Sequence, residues 1–286
     1  MISIINFITY RGRDHPTTAR GTQLGRNRGQ RSGAHIANAN NHEVIGRDTK
    51  EVQMSTEHQP GKTATLPDWQ LMTEQSHEDV ARMERASAQE VIRWAVQTFG
   101  SDLVLASSFQ DCVLIDLAVR EDPMVQVVFL DTCYHFPETL EFVDQVRARY
   151  DLNLRVISPG IPIDEWPCGT ERCCELRKVE PLRRALEGKR CWMTGLKRVD
   201  SPSRASSKVV SFDADKRVVK VNPLAAWTDE DVEQYVADQA LLQHPLTLTG
   251  YASIGCAPTT TPVTLGAHPR SGRWSGTGKT ECGLHY

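Results

Sequence analysis

An α/β fold, a Rossmann-like parallel sheet with helices on both faces, is what the sequence predicts, and three observations carry it. Short apolar runs alternate with helix-patterned stretches from Ser87 to Asp238, as in successive βαβ units. The runs are apolar throughout, as in VQVVFLD at 125–131, which suits strands covered on both faces. Polar residues gather just after the runs, where an open parallel sheet binds its ligands.

The elements follow in order. Ser87-Ala88-Gln89-Glu90 is a capping box, so order is expected from about Ser87. Val91, Trp94, Ala95 and Thr98 mark one face of the helix that follows, and Gly100 stops it. DLVLASS contains a buried strand over Leu103 to Ala106, and CVLIDLAVR reads as a helix from about Asp111 to Arg120. The strand at 125–131 is followed by a helix opened by Pro137, with proline in its first turn, and running to about Tyr150. LRVIS is the third strand, residues 174–187 a basic helix, and RCWMTG the fourth strand. KVVSF and KRVVKV can pair as a late hairpin. Thr228 caps TDEDVEQYVAD, whose acids sit where the helix dipole favours them. Ser107-Ser108-Phe109-Gln110 follows the first strand, Asp131-Thr132 the second, and Thr194-Gly195-Leu196-Lys197-Arg198 the fourth. A hydroxyl-rich turn entering a helix can cradle phosphate, although such residues more often serve only as caps.

The chain has 286 residues, enough for one large domain or two small ones. A net charge of -3 argues against general nucleic-acid binding, and no apolar run approaches the ~18 residues of a membrane helix. Eight cysteines in a chain this long are too sparse for a secreted disulfide scaffold. A reducing, cytoplasmic compartment is expected, with thiols kept for metal or catalysis. The first 75 residues stand apart: Arg11, Arg13, Arg20, Arg26, Arg28 and Arg31 are opposed only by Asp14. An Arg-rich, acid-poor leader is one form of transit peptide; the lack of periodicity favours a disordered or over-called extension, with Met54 or Met72 as the working start.

Cys173 and Cys174 are adjacent, with Arg177 and Lys178 just beyond. A disulfide between sequence neighbours is strained, whereas two thiolates directed at one metal centre are easier to build. Cys282 lies four residues from the last residue of the sequence. On a tail that moves, it can attack in one step and meet a partner in the next. A thiolate attacks and a thiol does not, so it needs positive charge nearby.

Together the pieces resemble the sulfonucleotide reductases, the assimilatory adenylyl-sulfate and phosphoadenylyl-sulfate reductase family. ASSFQD, FLDTCYHFPETLEF, CCELRKVEPL, WMTGLKRVDSPSRA, KVNPLAAWTDEDVEQY, HPLTLTGYASIGCAP, HPRSGRWSG and KTECGLHY occur in the family's order over roughly residues 85–286. The resemblance implies an adenine nucleotide alpha hydrolase-like sheet with a flexible C-terminal tail. It divides the chain into the extension (1–75), a nucleotide-binding α/β reductase domain (76–245), and a segment (246–286) bearing cluster ligands, an Arg loop and the nucleophile. It implies reduction of adenosine 5'-phosphosulfate to sulfite and AMP in assimilatory sulfate reduction, the route to cysteine biosynthesis, through an S-sulfocysteine on Cys282. Plant members carry a fused redoxin domain and this sequence shows none, so a separate thioredoxin- or glutaredoxin-type protein is the expected reductant.

An anionic substrate needs a basic site. The resemblance points to Ser107, Ser108, Asp131, Thr132, Lys178, Gly195, Arg198, Arg204, Arg270 and Arg273 for substrate binding, the arginine forks suiting phosphoryl and sulfuryl oxygens. Arg177 and Lys197 are further basic candidates. His135 and His285 lie inside matched motifs, where a structural histidine is as good a reading as a catalytic one.

In the family's adenylyl-sulfate branch a double cysteine joins a later Cys-x-x-Cys to hold a [4Fe–4S] cluster, thiolates being the usual ligands. Cys173, Cys174 and Cys256 occupy three of those positions, and the fourth is Thr259, whose hard, neutral hydroxyl is a poor ligand for cluster iron. Three outcomes are open: one iron left to water or a small thiol, another cysteine such as Cys168 moving in, or an incomplete cluster or none. A site that is cluster-shaped but weaker is the expectation. The phosphoadenylyl-sulfate branch typically lacks these cysteines, so their presence favours the substrate without a 3'-phosphate; a phosphoadenylyl-sulfate reductase is the alternative. A non-catalytic zinc module would use the same cysteines but leave Cys282 without a task. The related ATP-pyrophosphatase group wants a Ser-Gly-Gly-x-Asp-Ser loop, and SSFQD lacks both glycines.

Overall fold

A computed structural model of the protein describes residues 74–163, 165–275 and 279–285. The chain divides into two units, residues 1–61 and 62–286. The arginine-rich leader and both candidate starts, Met54 and Met72, lie outside the described residues.

Order begins earlier than Ser87, with α1 (Glu74–Met83). Its sequence carries few apolar residues, so periodicity gave little sign of it; Met83 is buried against the core. The capping box forms as expected: the Ser87 N–H donates to Glu90 Oε2 at 2.8 Å, and the Glu90 N–H donates to Ser87 Oγ at 3.3 Å. That pair starts α2 (Ala88–Phe99), and Gly100, at φ 48°, ends it in a conformation where a side chain would be strained. Then follow β1 (Leu103–Ser107), α3 (Val113–Glu121), β2 (Gln126–Leu130), α4 (Pro137–Tyr150) and β3 (Leu154–Ile157).

The basic helix starts before residue 174. Thr170 caps it by accepting the Cys173 N–H at 3.2 Å, so both cysteines lie in α5 (Glu171–Cys174). A π-turn over Glu175–Val179 leads into α6 (Glu180–Leu186). The widened turn has a local cause. Pro181 has no N–H and its ring would crowd the carbonyl four residues back; within the π-turn the Glu180 N–H instead reaches Glu175 O. The chain continues through β4 (Cys191–Thr194), β5 (Val210–Asp213), β6 (Val218–Val221) and α7 (Asp229–Asp238), and the rest is irregular or in short 3-10 turns.

The six strands form one sheet in the order β3-β2-β1-β4-β6-β5. All neighbours are parallel except β5 and β6, the expected hairpin. Alternate strand residues enter opposite cores: Leu103, Leu105, Val127 and Phe129 pack with α2, α3 and α4, while Val104, Val128 and Trp192 pack with Leu182, Ala185 and Leu186 of α6. Val104, Leu105, Val127 and Val128 are wholly enclosed, and each such side chain contributes about 1.5–3 kcal/mol when removed from water. Strand order reverses between β1 and β4, and the crevice at such a switch point is where open α/β sheets bind ligands.

Candidate active site

The turns leaving β1 and β4 open into a cavity of about 960 Å³ at that switch point. Ser107 and Ser108 line it from one turn and Gly195 from the other. Ser107 Oγ accepts the Phe109 N–H at 3.1 Å, and Asp111 Oδ1, not a serine, accepts the Val113 N–H at 3.0 Å to start α3. Phe109 takes a left-handed φ of 55° and sets its ring edge-on to Phe129. Gln110 Oε1 accepts the Ile254 N–H at 3.0 Å, and the Ala257 N–H donates to Tyr134 O at 2.7 Å. These bonds draw the segment carrying Cys256 over the ends of β1 and β2.

Cys282 enters the same cavity because the residues before it are pinned. Arg204 grips Glu281 with two parallel bonds, Nε to Oε1 at 2.8 Å and Nη2 to Oε2 at 2.7 Å, and Ser201 Oγ adds a third at 2.9 Å. Burial alone would raise the Glu281 carboxyl, but Arg204 and Arg270 outweigh it and hold it below the usual carboxylate range. Arg270 Nη2 donates to Thr280 O at 3.1 Å and to Glu281 Oε2 at 3.3 Å. Lys279 Nζ donates to Gly169 O at 3.0 Å and to Cys174 Sγ at 3.1 Å. Beyond Cys282, Leu284 joins the apolar cluster around Trp192, and His285 stacks on the Trp192 ring, centroids 5.5 Å apart and planes 1° apart. The tail expected to move is thus packed down in this structure.

Burial, reinforced by Lys220, Arg204, Lys216 and Arg270, pushes the His285 imidazole well below its ordinary value. The docked ring is therefore neutral, whereas in a released tail it would titrate near ~6.5. Protons bind only the released form in that range, so docking is at full strength above that pH and weakens as pH falls through it. Acidification from about pH 7.5 to about pH 5.5 should raise deuterium exchange in the C-terminal peptide. His285→Phe, which stacks but cannot take a proton, should abolish that pH dependence; an unchanged response would refute the histidine as its source.

Positive charge converges on the thiols. Lys178, just past the double cysteine, lines the cavity. Burial would lower its ammonium, yet Cys256, Cys282 and Cys174 together keep it above its ordinary value, so it stays charged among them. Arg273 is half-buried in the cavity wall, donating to Ser253 Oγ at 3.3 Å and Ile254 O at 3.1 Å, with its guanidinium 4.6 Å from the centre of the Trp274 ring. A Cβ on Gly255 would meet that guanidinium and displace it, so the glycine leaves Arg273 room to lie against the backbone. Arg273 Nε is buried with no hydrogen-bond partner among the described residues, which leaves a donor for an anion.

Other expected residues sit differently. Arg198 turns away from this cavity, pairing with Glu84 at 2.7 Å and donating to Ser207 O at 2.8 Å; α1, which supplies Glu84 just past its end, was not foreseen. Asp131 does not line the cavity, because its carboxylate accepts the Cys133 N–H at 2.8 Å within its own turn. Thr132 faces Cys256, Oγ1 to Sγ 3.5 Å. Arg177 is fully buried and braces loop carbonyls of Thr132 and Pro162. Lys197 pairs with Asp229 and Asp200. His135 lines the cavity, its Nε2 3.1 Å from Leu130 O and its ring packed on Phe129.

Cys173, Cys174 and Cys256 are all buried. The Cys256 thiol is drawn below its ordinary value by neighbouring Cys168, Lys178 and Thr132, which together outweigh its burial. Among the described residues no three His, Cys, Asp or Glu side chains are arranged to hold a single metal ion.

Comparison with known proteins agrees with this geometry. The phosphoadenosine phosphosulfate reductase domain matches residues 102–262. An adenosine 5'-phosphosulfate reductase of Mycobacteroides abscessus is 43% identical over 233 residues, covering 78% of this chain and 98% of that protein. One of Mycolicibacterium smegmatis is 44% identical over 223 residues, covering 75% and 94%. Among solved structures, a phosphoadenylyl-sulfate reductase from Candida auris, in complex with phosphate, is similar with a TM-score of 0.57 at 28% identity, covering 66% of this chain and 98% of that one. With a nucleotide-type switch-point cavity, a cysteine on a docked tail and a domain match over more than half its length, the chain belongs to the phosphoadenosine phosphosulfate reductase family of oxidoreductases.

Proposed function

We propose that the protein reduces adenosine 5'-phosphosulfate to sulfite and AMP with an external thioredoxin-type dithiol. The observation that carries this reading is the meeting of Cys282, Lys178 and Arg273 in one cavity at the switch point of the sheet. The choice of nucleotide follows the two mycobacterial adenosine 5'-phosphosulfate reductases to which the chain is 43% and 44% identical.

The chemistry then runs in two displacements. The Cys282 thiolate attacks the sulfuryl sulfur; a sulfur–sulfur bond forms, the bond from sulfur to the bridging phosphate oxygen breaks, and AMP leaves with the electron pair. Lys178 and Arg273 offset charge on the sulfuryl and phosphoryl oxygens, in an enclosed site where fixed charges act strongly. Ser107, Ser108 and Gly195 hold the nucleotide phosphate at the strand ends. A thiolate of the reductant next attacks Cys282 Sγ, and sulfite leaves with the bonding pair. The reductant's second thiol resolves the mixed disulfide and frees Cys282. The dithiol is oxidised by two electrons and the sulfuryl sulfur reduced by two.

The buried thiols fit an iron–sulfur cluster better than a single ion. A lone zinc needs four donors about 2.3 Å or less from one point, whereas a cluster takes its thiolates at separate corners. Lys178 beside Cys256, and Lys279 on Cys174 at 3.1 Å, offset the negative charge such a set carries. When bound, the cluster would supply a fixed charged body beside the sulfuryl end of the substrate.

Steady-state kinetics with both nucleotides test the reading. The expected outcome is a higher kcat/KM for adenosine 5'-phosphosulfate than for its 3'-phosphorylated form; a clear preference for the latter would overturn the substrate assignment.

A further inference from the structure

We propose that Cys168, and not Thr259, is the fourth thiolate of the cluster-binding set. The inference rests on the cluster reading above. Thr259 is already engaged: its hydroxyl donates to Cys256 O at 3.4 Å inside the 3-10 turn Ala257–Thr259. It is also a hard, neutral donor, the wrong chemistry for cluster iron. Cys168 lies beside it, Sγ to Oγ1 4.0 Å, on the same side of the site.

The residues that follow Cys168 tie it to the rest of the set. Two residues on, Thr170 accepts the Cys173 N–H and so fixes the helix that carries both adjacent cysteines. Gly169 takes φ +94°, and a Cβ there would strike Thr259 Cγ2, so this turn can pack against the threonine only as glycine. Lys279 Nζ joins the two parts, reaching Gly169 O at 3.0 Å and Cys174 Sγ at 3.1 Å. Cys168 thus stands beside Thr259, on the turn that follows Cys256, and one loop ahead of the helix that carries Cys173 and Cys174. The position left without a thiol at 259 is served by a cysteine from the loop ahead of the helix.

Anaerobic reconstitution with ferrous iron and sulfide tests this, read as iron and sulfide content, visible absorption and electron paramagnetic resonance, with circular dichroism to establish the fold. The wild type should bind about four irons per chain. Cys168→Ser, nearly isosteric, should fold normally yet lose at least one iron or the whole cluster. Thr259→Cys alone should change iron content little, but in the Cys168→Ser background it should restore the cluster. If Cys168→Ser keeps wild-type iron and spectrum while Cys173→Ser loses them, Cys168 is not a ligand although the cluster reading stands. A folded double variant that fails to regain iron overturns the shared-corner geometry. If the wild type binds no iron, or Cys168 is found in a disulfide with Cys256, the inference falls together with the cluster reading.

Discussion

Cys282→Ser is expected to abolish sulfite release while leaving nucleotide binding nearly intact. At neutral pH a serine hydroxyl is a far weaker nucleophile than a thiolate, and no other described cysteine occupies an equivalent place on the tail. The pinning contacts at Lys279, Glu281 and His285 do not involve Cys282 Sγ, so the serine variant should dock as the wild type does. Mass spectrometry of wild-type protein mixed with substrate and no reductant should reveal one sulfite-sized adduct on the C-terminal peptide, absent from the variant. Turnover of the serine variant near the wild-type rate would sink the mechanism.

The next largest effect is expected at Arg273 in the cavity wall. Arg273→Ala should cost about 1.5–3 kcal/mol of substrate handling, the usual loss when a charged hydrogen-bond partner is removed from an anion. That is on the order of tenfold to a hundredfold in kcat/KM. Arg270→Ala should cost less, because its guanidinium already offsets Glu281 at 3.3 Å, whereas Arg273 has no carboxylate partner among the described ion pairs. Iron content should be unchanged in both variants, since neither residue is a ligand. Normal kinetics in the Arg273 variant would remove it from the site.

Much of the architecture was legible in the sequence for physical reasons. Strands buried on both faces must be apolar throughout, so β1, β2 and β4 announced themselves. Ser87 and Thr228 declared their helices through caps that need only a few local residues. The helix α1 escaped because it buries little, and the start of the basic helix was misplaced because a proline-driven π-turn breaks the 3.6-residue pattern. At the site, residue type singled out Cys282 as the candidate nucleophile and the thiols as candidate ligands, but not which charges remain open to a ligand. Arg198 and Asp131 lie in fitting motifs, yet Asp131 is engaged by its own turn and Arg198 by Glu84, a long-range partner that leaves no periodic trace. The Arg204–Glu281 grip is of the same kind: the two residues are 77 apart in sequence.

The docked tail also sets a clock. In the proposed mechanism, nucleotide cleavage requires Cys282 to stay down in the cavity, whereas sulfite release requires it to come within reach of another protein's thiol. The same contacts therefore help one half-reaction and delay the other. Adding a sulfonate to Cys282 places new negative charge beside Lys178 and Arg273, so the loaded tail should dwell longer than the free one and protect its cargo from stray thiols. Loosening the latch, for example at Glu281 or His285, would shorten that dwell and let the adduct leak to small thiols. Tightening it would make the arrival of the reductant the slow step of every turnover.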